Sequence, residues 1–417
     1  MSTGLAAGPE ASPLSLPEAH EMALRNHPQI SVADLTALAA QQGFRQARAG
    51  FFPNVSGNVV AVGTAADNTR LGAIGALNNP SIFDRNAAGL MISQLITDFG
   101  RTANFARSAQ YHARAEENNA QATREQILLV VDDAFYGALQ AQAVTRVAQQ
   151  TVTARQSLFD YVYAQFTNQM KSELDVSFVR VNLEDARLLL SKAQNDLQAS
   201  FTQLSTLMGL REPRTFSLVE QPLPPQVSTN SSAFVQQALS SRPDLLRFRN
   251  EREAAWRLAR GERDARYPTI AAVASAGALP VHDAQLPDSY AAAGLTLTVP
   301  LYAGGLYAAR QKEAELRAQA TEEGLRDLED NIIRDVRISW LNAQNAFDRY
   351  QITGQLLDTA KRSLELAQAR YNIGTVSIVE LNQAQLNEIS AEIAFAGTQY
   401  EYLLQRSALS YQTGALR

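Results

Sequence analysis

Residues 95–100 read Leu95-Ile96-Thr97-Asp98-Phe99-Gly100, and residues 300–305 read Pro300-Leu301-Tyr302-Ala303-Gly304-Gly305. Each closes a short apolar segment and opens a long run that is almost free of proline and glycine. Aligned, they set Asp98 on Ala303 and Gly100 on Gly305, an offset of 205 residues. The same offset carries Phe166 onto Tyr371, Ser172 onto Ser377, Asp175 onto Glu380 and Gly209 onto Gly414. A register held without a net gap is what two helical hairpins of equal length require, since a length change in one leg would misalign the tips. Upstream the offset becomes 215, with Asn26-His27-Pro28 on Ser241-Arg242-Pro243 and Phe52-Pro53 on Tyr267-Pro268. The first copy thus carries ten extra residues between Pro53 and Leu95, and free length marks a solvent-facing loop.

Each copy has the same order of elements. Helical segments are expected at 16–50 and 231–265, broken early by Pro28 and Pro243, because proline ends one helix and lets another begin at a new angle. Strand pairs follow at 51–63/87–97 and 267–279/290–302, with alternation clearest where Leu295, Leu297 and Val299 interleave with Thr296 and Thr298. Residues 102–165 hold only Gly137, and residues 306–370 only Gly324 and Gly354, among helix breakers. Leu325, Leu328, Ile332 and Val336 advance by three or four, the spacing of a helical stripe. A helix of about 65 residues spans roughly 97 Å. The return legs at 173–208 and 378–412 are about half that length, so the 35-residue segments before the strands must cover the rest. This predicts an elongated rod divided into a first repeat over 15–210 (hairpin 102–208), a proline-rich linker over 211–235 capped by Ser231 or Ser232, and a second repeat over 236–416 (hairpin 306–412).

Composition excludes several chemistries. The 417-residue chain has no cysteine, so it carries no disulfide framework, thiol nucleophile or thiolate metal site. With 37 basic and 42 acidic residues the net charge is -5, which gives no reason to expect a nucleic-acid partner. Four histidines argue against a multi-histidine metal centre, and no cofactor motif is present. The mean hydropathy is -0.20 and no long apolar run free of charge occurs, so no membrane helix is expected. A membrane β-barrel stays open, since its strands need only about 9–11 residues. The opening residues lack a basic region followed by an apolar core, so no leader peptide is expected.

These features together resemble the TolC-type outer membrane efflux protein family. The resemblance rests on Asn26-His27-Pro28, on Ala47, Arg48, Gly50, Phe52 and Pro53, on the turns at 96–100 and 301–305, on residues 370–385 and on 207–210. It implies a mixed fold, a membrane β-barrel joined to a long α-helical barrel, built as a duplicated repeat with four strands per protomer. Four strands cannot close alone and open edges do not survive in lipid, so closure and resemblance together imply a homotrimer with a twelve-stranded barrel. The implied role is a passive exit duct in the outer membrane with a long periplasmic extension. Its implied partners are a periplasmic adaptor protein, an inner membrane pump of the RND or ABC type, and outer membrane lipid. No catalytic residue, cofactor or metal is expected. The competing reading is a soluble coiled-coil structural or interaction protein.

The candidate sites follow from these two sources. At the second hairpin tip, Tyr371, Gly374, Glu380 and Gln383 are the candidate periplasmic gate, because an inward Glu380 in a trimer becomes a ring of three carboxylates that favours cations. Val376 stands where some family members have an arginine latch. At the first tip, Gln169, Lys171 and Asp175 are candidate adaptor contacts, with no glycine in the turn. Asp98, Gly100, Gly304 and Gly305 are expected to make the sharp exits from strand to helix. Asp67, Arg70, Asp84, Asp283 and Asp288 lie in the loops at 64–86 and 280–289, the expected upper gate.

Overall fold

The computed structural model describes residues 12–63, 69–70, 81–82, 85–282, 284 and 286–416. In chain order the elements are β1 (Ser12–Leu14), α1 (Leu16–Asn26), α2 (Pro28–Ala49), β2 (Asn54–Val62), β3 (Thr69–Arg70), β4 (Ser81–Ile82), β5 (Arg85–Thr97), α3 (Arg101–Thr167) and α4 (Glu173–Leu207). Then come β6 (Phe216–Leu218), α5 (Ser231–Ser241), α6 (Pro243–Asp264), β7 (Thr269–His282), β8 (Ser289–Thr298), α7 (Leu306–Asn372) and α8 (Ile378–Gln412). Pro28 and Pro243 each sit at a first helical position, where their missing N–H is no loss, and an extended residue precedes each of them. Helix α1 begins with a capping box in which Ser15 and Glu18 satisfy one another's backbone. Asn230, rather than Ser231 or Ser232, caps α5, and its side-chain carbonyl accepts from the Ser232 N–H at 2.9 Å.

Helix lengths recur across the two halves. Helices α1 and α5 each have 11 residues, α2 and α6 22, α3 and α7 67, and α4 and α8 35. The backbone adopts positive φ, among the described residues, at Phe99 and Gly304, Gly100 and Gly305, Gln169 and Gly374, and Gly209 and Gly414. Every one of these pairs is 205 residues apart.

The chain divides into two compact units, each drawing on both halves of the sequence. The first comprises 1–34, 118–246 and 327–417. Its core gathers Leu16, Ala19 and Ala23 of α1, Val131, Phe135 and Leu139 of α3, Leu204 of α4, and Leu403 of α8. The short parallel pair of β1 and β6 closes over it, with Leu14 opposite Leu218. The linker is strapped down by its Pro225 carbonyl, which accepts from the Tyr402 hydroxyl at 2.7 Å and from Arg406 at 2.9 Å.

Helix α3 departs from the expectation that no helix is apolar enough to cross a membrane, since an 18-residue window of it reaches a mean hydropathy of 1.3. Half of that window is buried within the protein. The excess apolarity is core packing, and the helix buries Asp132 against His20 of α1.

The second unit, 35–117 and 247–326, carries an antiparallel sheet in the order β2-β5-β7-β8. Strand β2 starts at Asn54 because Phe51 and Phe52 close a turn onto Arg48 and Ala49, and Pro53 has no N–H to give. The small β3–β4 pair lies in the first of the two candidate upper-gate loops. Asp67, Asp84 and Asp283 lie outside the described residues, and Arg70 is described in its backbone alone. Asp288 is described and lies 2.9 Å from His282.

Candidate functional site

The register of the sheet sorts its residues into two faces. Directly opposed residues share a face, and so do alternate residues along a strand. Val55, Ile92, Ala274 and Ala293 form one cross-sheet row, and Gly57, Leu90, Ala276 and Ala291 another on the same side. Ala272 and Leu295 extend this apolar face. Gln94 is its polar member, and its amide donates to the Phe51 and Leu95 carbonyls at 3.0 and 2.7 Å. The face is open, with Val59 84% and Leu295 75% exposed. The other side carries Asn54, Ser93, Ser56, Ser275, Asn58, Thr296 and Thr298, with Met91 and Val273 among them. There Tyr290 lies across Gly89 and Gly277, and a Cβ on Gly277 would stand 2.6 Å from its ring. Among the described residues, β2 and β8 each have a strand neighbour on one side alone.

The exits from strand to helix are sharp. Asp98 is buried and accepts from the Gly100 N–H at 3.2 Å and the Thr102 N–H at 2.7 Å, which satisfies the first orphan donors of α3. Phe99 pays for this turn with a φ of 57°, where Gly304 at the other exit has 60° and no steric conflict. Gly100 and Gly305 also hold positive φ.

The two hairpin tips meet in the first unit. Ser172 caps α4 and accepts from the Asp175 N–H at 3.2 Å, while the Asp175 carboxylate accepts from the Ser172 N–H and hydroxyl at 3.0 and 2.8 Å. These bonds hold the Asp175 carboxyl below its ordinary value. Ser377 caps α8 in the same way, accepting from the Glu380 N–H at 3.3 Å. The Glu380 carboxylate lies 3.7 Å from Arg370 on the outgoing leg, a half-exposed pair that sequence spacing did not bring to notice. Gln383 donates to Asn387 at 2.9 Å. Gly374 takes a φ of 78° and Gln169 one of 59°. Tyr371 is buried against Leu381, Ala384 and Val376, and its hydroxyl has no hydrogen-bond partner among the described residues.

Two further contacts tie the hairpins together. The Lys171 ammonium sits 4.9 Å from the centre of the Tyr371 ring. Arg155 of α3 is buried and donates to the Asn382 side-chain oxygen of α8. It borders a cleft of about 260 Å³ lined by Gln385, Glu388 and Glu392. Burial, and next the Glu392 charge, push the Glu388 carboxyl up. Arg155 gave no sequence signal, since its partner is 227 residues away.

The family model for outer membrane efflux proteins matches residues 19–210 and 234–415. The chain belongs to the outer membrane efflux protein family. It is accordingly an outer membrane protein of the efflux and transport class, and its family is one of channels rather than enzymes. It is 21% identical to the outer membrane protein TolC of Salmonella enteritidis, over 96% of this chain and 82% of that one. It is 22% identical to the alkaline protease secretion protein AprF of Pseudomonas aeruginosa, over 98% and 86%. Among solved structures it is similar in fold to the Campylobacter jejuni CmeC outer membrane channel, with a TM-score of 0.78, 18% identity, and coverage of 96% of this chain and 85% of that one.

Proposed function

We propose that three copies of this chain form one passive conduit through the outer membrane. Each copy would give four strands to a twelve-stranded barrel and its long helices to a periplasmic tube. The observation that carries this reading is the open four-stranded sheet. It has an exposed apolar face for lipid, a smaller and more polar face for a water-filled lumen, and two edges that lipid would not tolerate unpaired. Strands of 9 to 14 residues suit the hydrocarbon thickness. The equal helix lengths and the paired backbone turns support the duplicated-repeat reading, with repeats over 15–210 and 236–416 about the linker at 211–235.

In this reading the duct ends in tips that close it. Glu380, Gln383, Tyr371 and Gly374 form the periplasmic gate, and Gln169, Lys171 and Asp175 meet a periplasmic adaptor. An inner membrane pump supplies the driving force. The names of the relatives TolC and AprF, an efflux-family member and a protease secretion protein, support a duct whose cargo is set by the pump.

Single-channel recording of the purified chain in a planar bilayer tests the proposal. Discrete, long-lived conductance steps are expected. A protein that stays in solution without detergent and adds no conductance would overturn it in favour of a soluble coiled-coil role.

A further inference from the structure

All four junctions between strand and helix fall at one end of the sheet. The register shows this, because Asn54 lies opposite Ser93, Thr97 opposite Ile270, and Thr269 opposite Thr298. At that end large apolar side chains stand exposed where burial would be expected of a closed soluble core. They are Phe51 and Phe52 before β2, Phe99 after β5, Tyr267 before β7, and Leu301 and Tyr302 after β8. Tyr302 is 92% exposed, and the Phe99 and Tyr267 rings meet at 6.0 Å.

Arginine accompanies these rings. Arg45 and Arg48 stand exposed in the last turns of α2, and Arg260 and Arg263 in the last turns of α6, with Arg266 just beyond. Arg48 lies over the Phe52 ring at 5.9 Å, and Arg101 over Phe105 at 5.6 Å. The neighbouring carboxylates do not cancel this charge at the surface. Asp98 is turned inward onto the start of α3, and Asp264 is buried against Asn104 and Arg263. Glu262 is the half-exposed acid left beside them. Lysine occurs in the chain at 171, 192, 312 and 361 alone, so the basic residues here are arginines. A guanidinium fork matches a phosphate with two parallel hydrogen bonds, which a lysine ammonium cannot do.

We infer that this junction is a headgroup belt for anionic phospholipids, in which Arg48, Arg260 and Arg266 hold lipid phosphates while Phe52, Tyr267 and Tyr302 sit at the boundary between headgroup and acyl chain. The inference rests on the reading of the sheet as a membrane element. It deepens that reading, because it gives the periplasmic end of the barrel a lipid preference. The apolar strand face ends at these rings, and the arginines begin within one turn of helix beyond. This is the depth at which a membrane presents its phosphates. The rings anchor depth, and the arginines choose among lipids by charge. Phosphatidylethanolamine carries its own ammonium beside the phosphate and gains less from them than phosphatidylglycerol does.

Native mass spectrometry of the full chain in neutral detergent, titrated with phosphatidylglycerol or phosphatidylethanolamine of matched acyl chains, tests this. The wild type is expected to retain phosphatidylglycerol about tenfold more tightly than phosphatidylethanolamine. Arg48→Gln combined with Arg266→Gln should abolish the preference, and the corresponding lysine pair should restore part of it. Millimolar inorganic phosphate should displace none of the lipid. Equal retention of the two lipids by the wild type would overturn the inference, as would an unchanged preference in the double glutamine variant. Displacement by inorganic phosphate would overturn it in favour of a free-anion site. Arg260→Gln paired with Arg48→Gln serves where the first pair fails to assemble, with circular dichroism as the check on folding. Planar-bilayer conductance separates the two readings. Normal channels with no lipid preference would sink the headgroup site alone, whereas no insertion at all would sink the conduit and the site together.

Discussion

The Lys171 ammonium lies 4.9 Å from the centre of the Tyr371 ring, and so joins the turn between α3 and α4 to the last turn of α7. One partner was assigned by sequence to an adaptor-facing tip and the other to the gate, and in the folded chain they touch. In the proposed duct, a load on the first tip would therefore act directly on Tyr371. A cation–π contact at a partly exposed site contributes about 0.5–1 kcal/mol. Lys171→Gln is expected to speed amide exchange at residues 168–172 and 372–377 by roughly two- to fivefold. Tyr371→Phe keeps the ring and should leave the exchange rates near wild type. Equal exchange in the wild type and Lys171→Gln would mean that the contact holds nothing.

The two turns solve one backbone problem with different residues. Gln169 takes the left-handed conformation that Gly374 takes at the position 205 residues later. For a residue with a Cβ this costs about 1–2 kcal/mol. Gln169→Gly should raise the melting temperature, and Gly374→Val should lower it by a comparable free energy. A destabilising Gln169→Gly would show that the glutamine side chain makes a compensating contact.

Two carboxyls give opposite pH dependences. The Ser172 backbone N–H and hydroxyl hold Asp175 below its ordinary value. Its contribution is therefore complete above the unfolded value of about 3.9 and is lost as pH falls through the lower, folded value. Glu388 is pushed the other way by burial and then by Glu392. The folded state takes up its proton first, so this site gains stability as pH falls through the raised, folded value. Glu388→Gln should stabilise the protein at pH 7 and match the wild type below about pH 4, where both side chains are neutral. Thermal melts of the two proteins from pH 4 to 8 read this out, and a constant difference across the range would contradict it.

Arg370 stands 3.7 Å from Glu380 and offsets part of the charge that a carboxylate ring would present. Replacing Glu380 with Gln should lower cation preference and divalent-cation block in single-channel recordings. Arg370→Gln should do the reverse and strengthen the block. Identical block in all three proteins would place the Glu380 carboxylates away from the ion path.

What the sequence made legible was whatever repeats or runs long. The 67-residue helices announce themselves by the scarcity of glycine and proline, and the breaks at Pro28 and Pro243 by proline chemistry. The strands were harder, because rows such as Ala274–Ala276 against Ala291–Ala293 alternate in direction but hardly in polarity. The pair of β1 and β6 was missed, since three residues are too few to show a period. Contacts between hairpins were out of reach altogether. Arg155 and Asn382, or Lys171 and Tyr371, sit on separate hairpins with no local pattern to link them. The Arg370–Glu380 pair crosses the turn at 373–377, so no helical spacing links the two residues.

The central claim is that β2 of one copy closes against β8 of the next. The chain has no cysteine, so a pair introduced on the two edges reports on this contact without background. Asn58→Cys is combined with single cysteines stepped along 291–297 of β8, and the oxidised protein is sized after denaturation. At one register the account predicts linked dimers and trimers, up to three times 45.5 kDa and no larger, because a head-to-tail ring of three closes. Monomers linked only within themselves at every register, or a ladder running past the trimer, would contradict it.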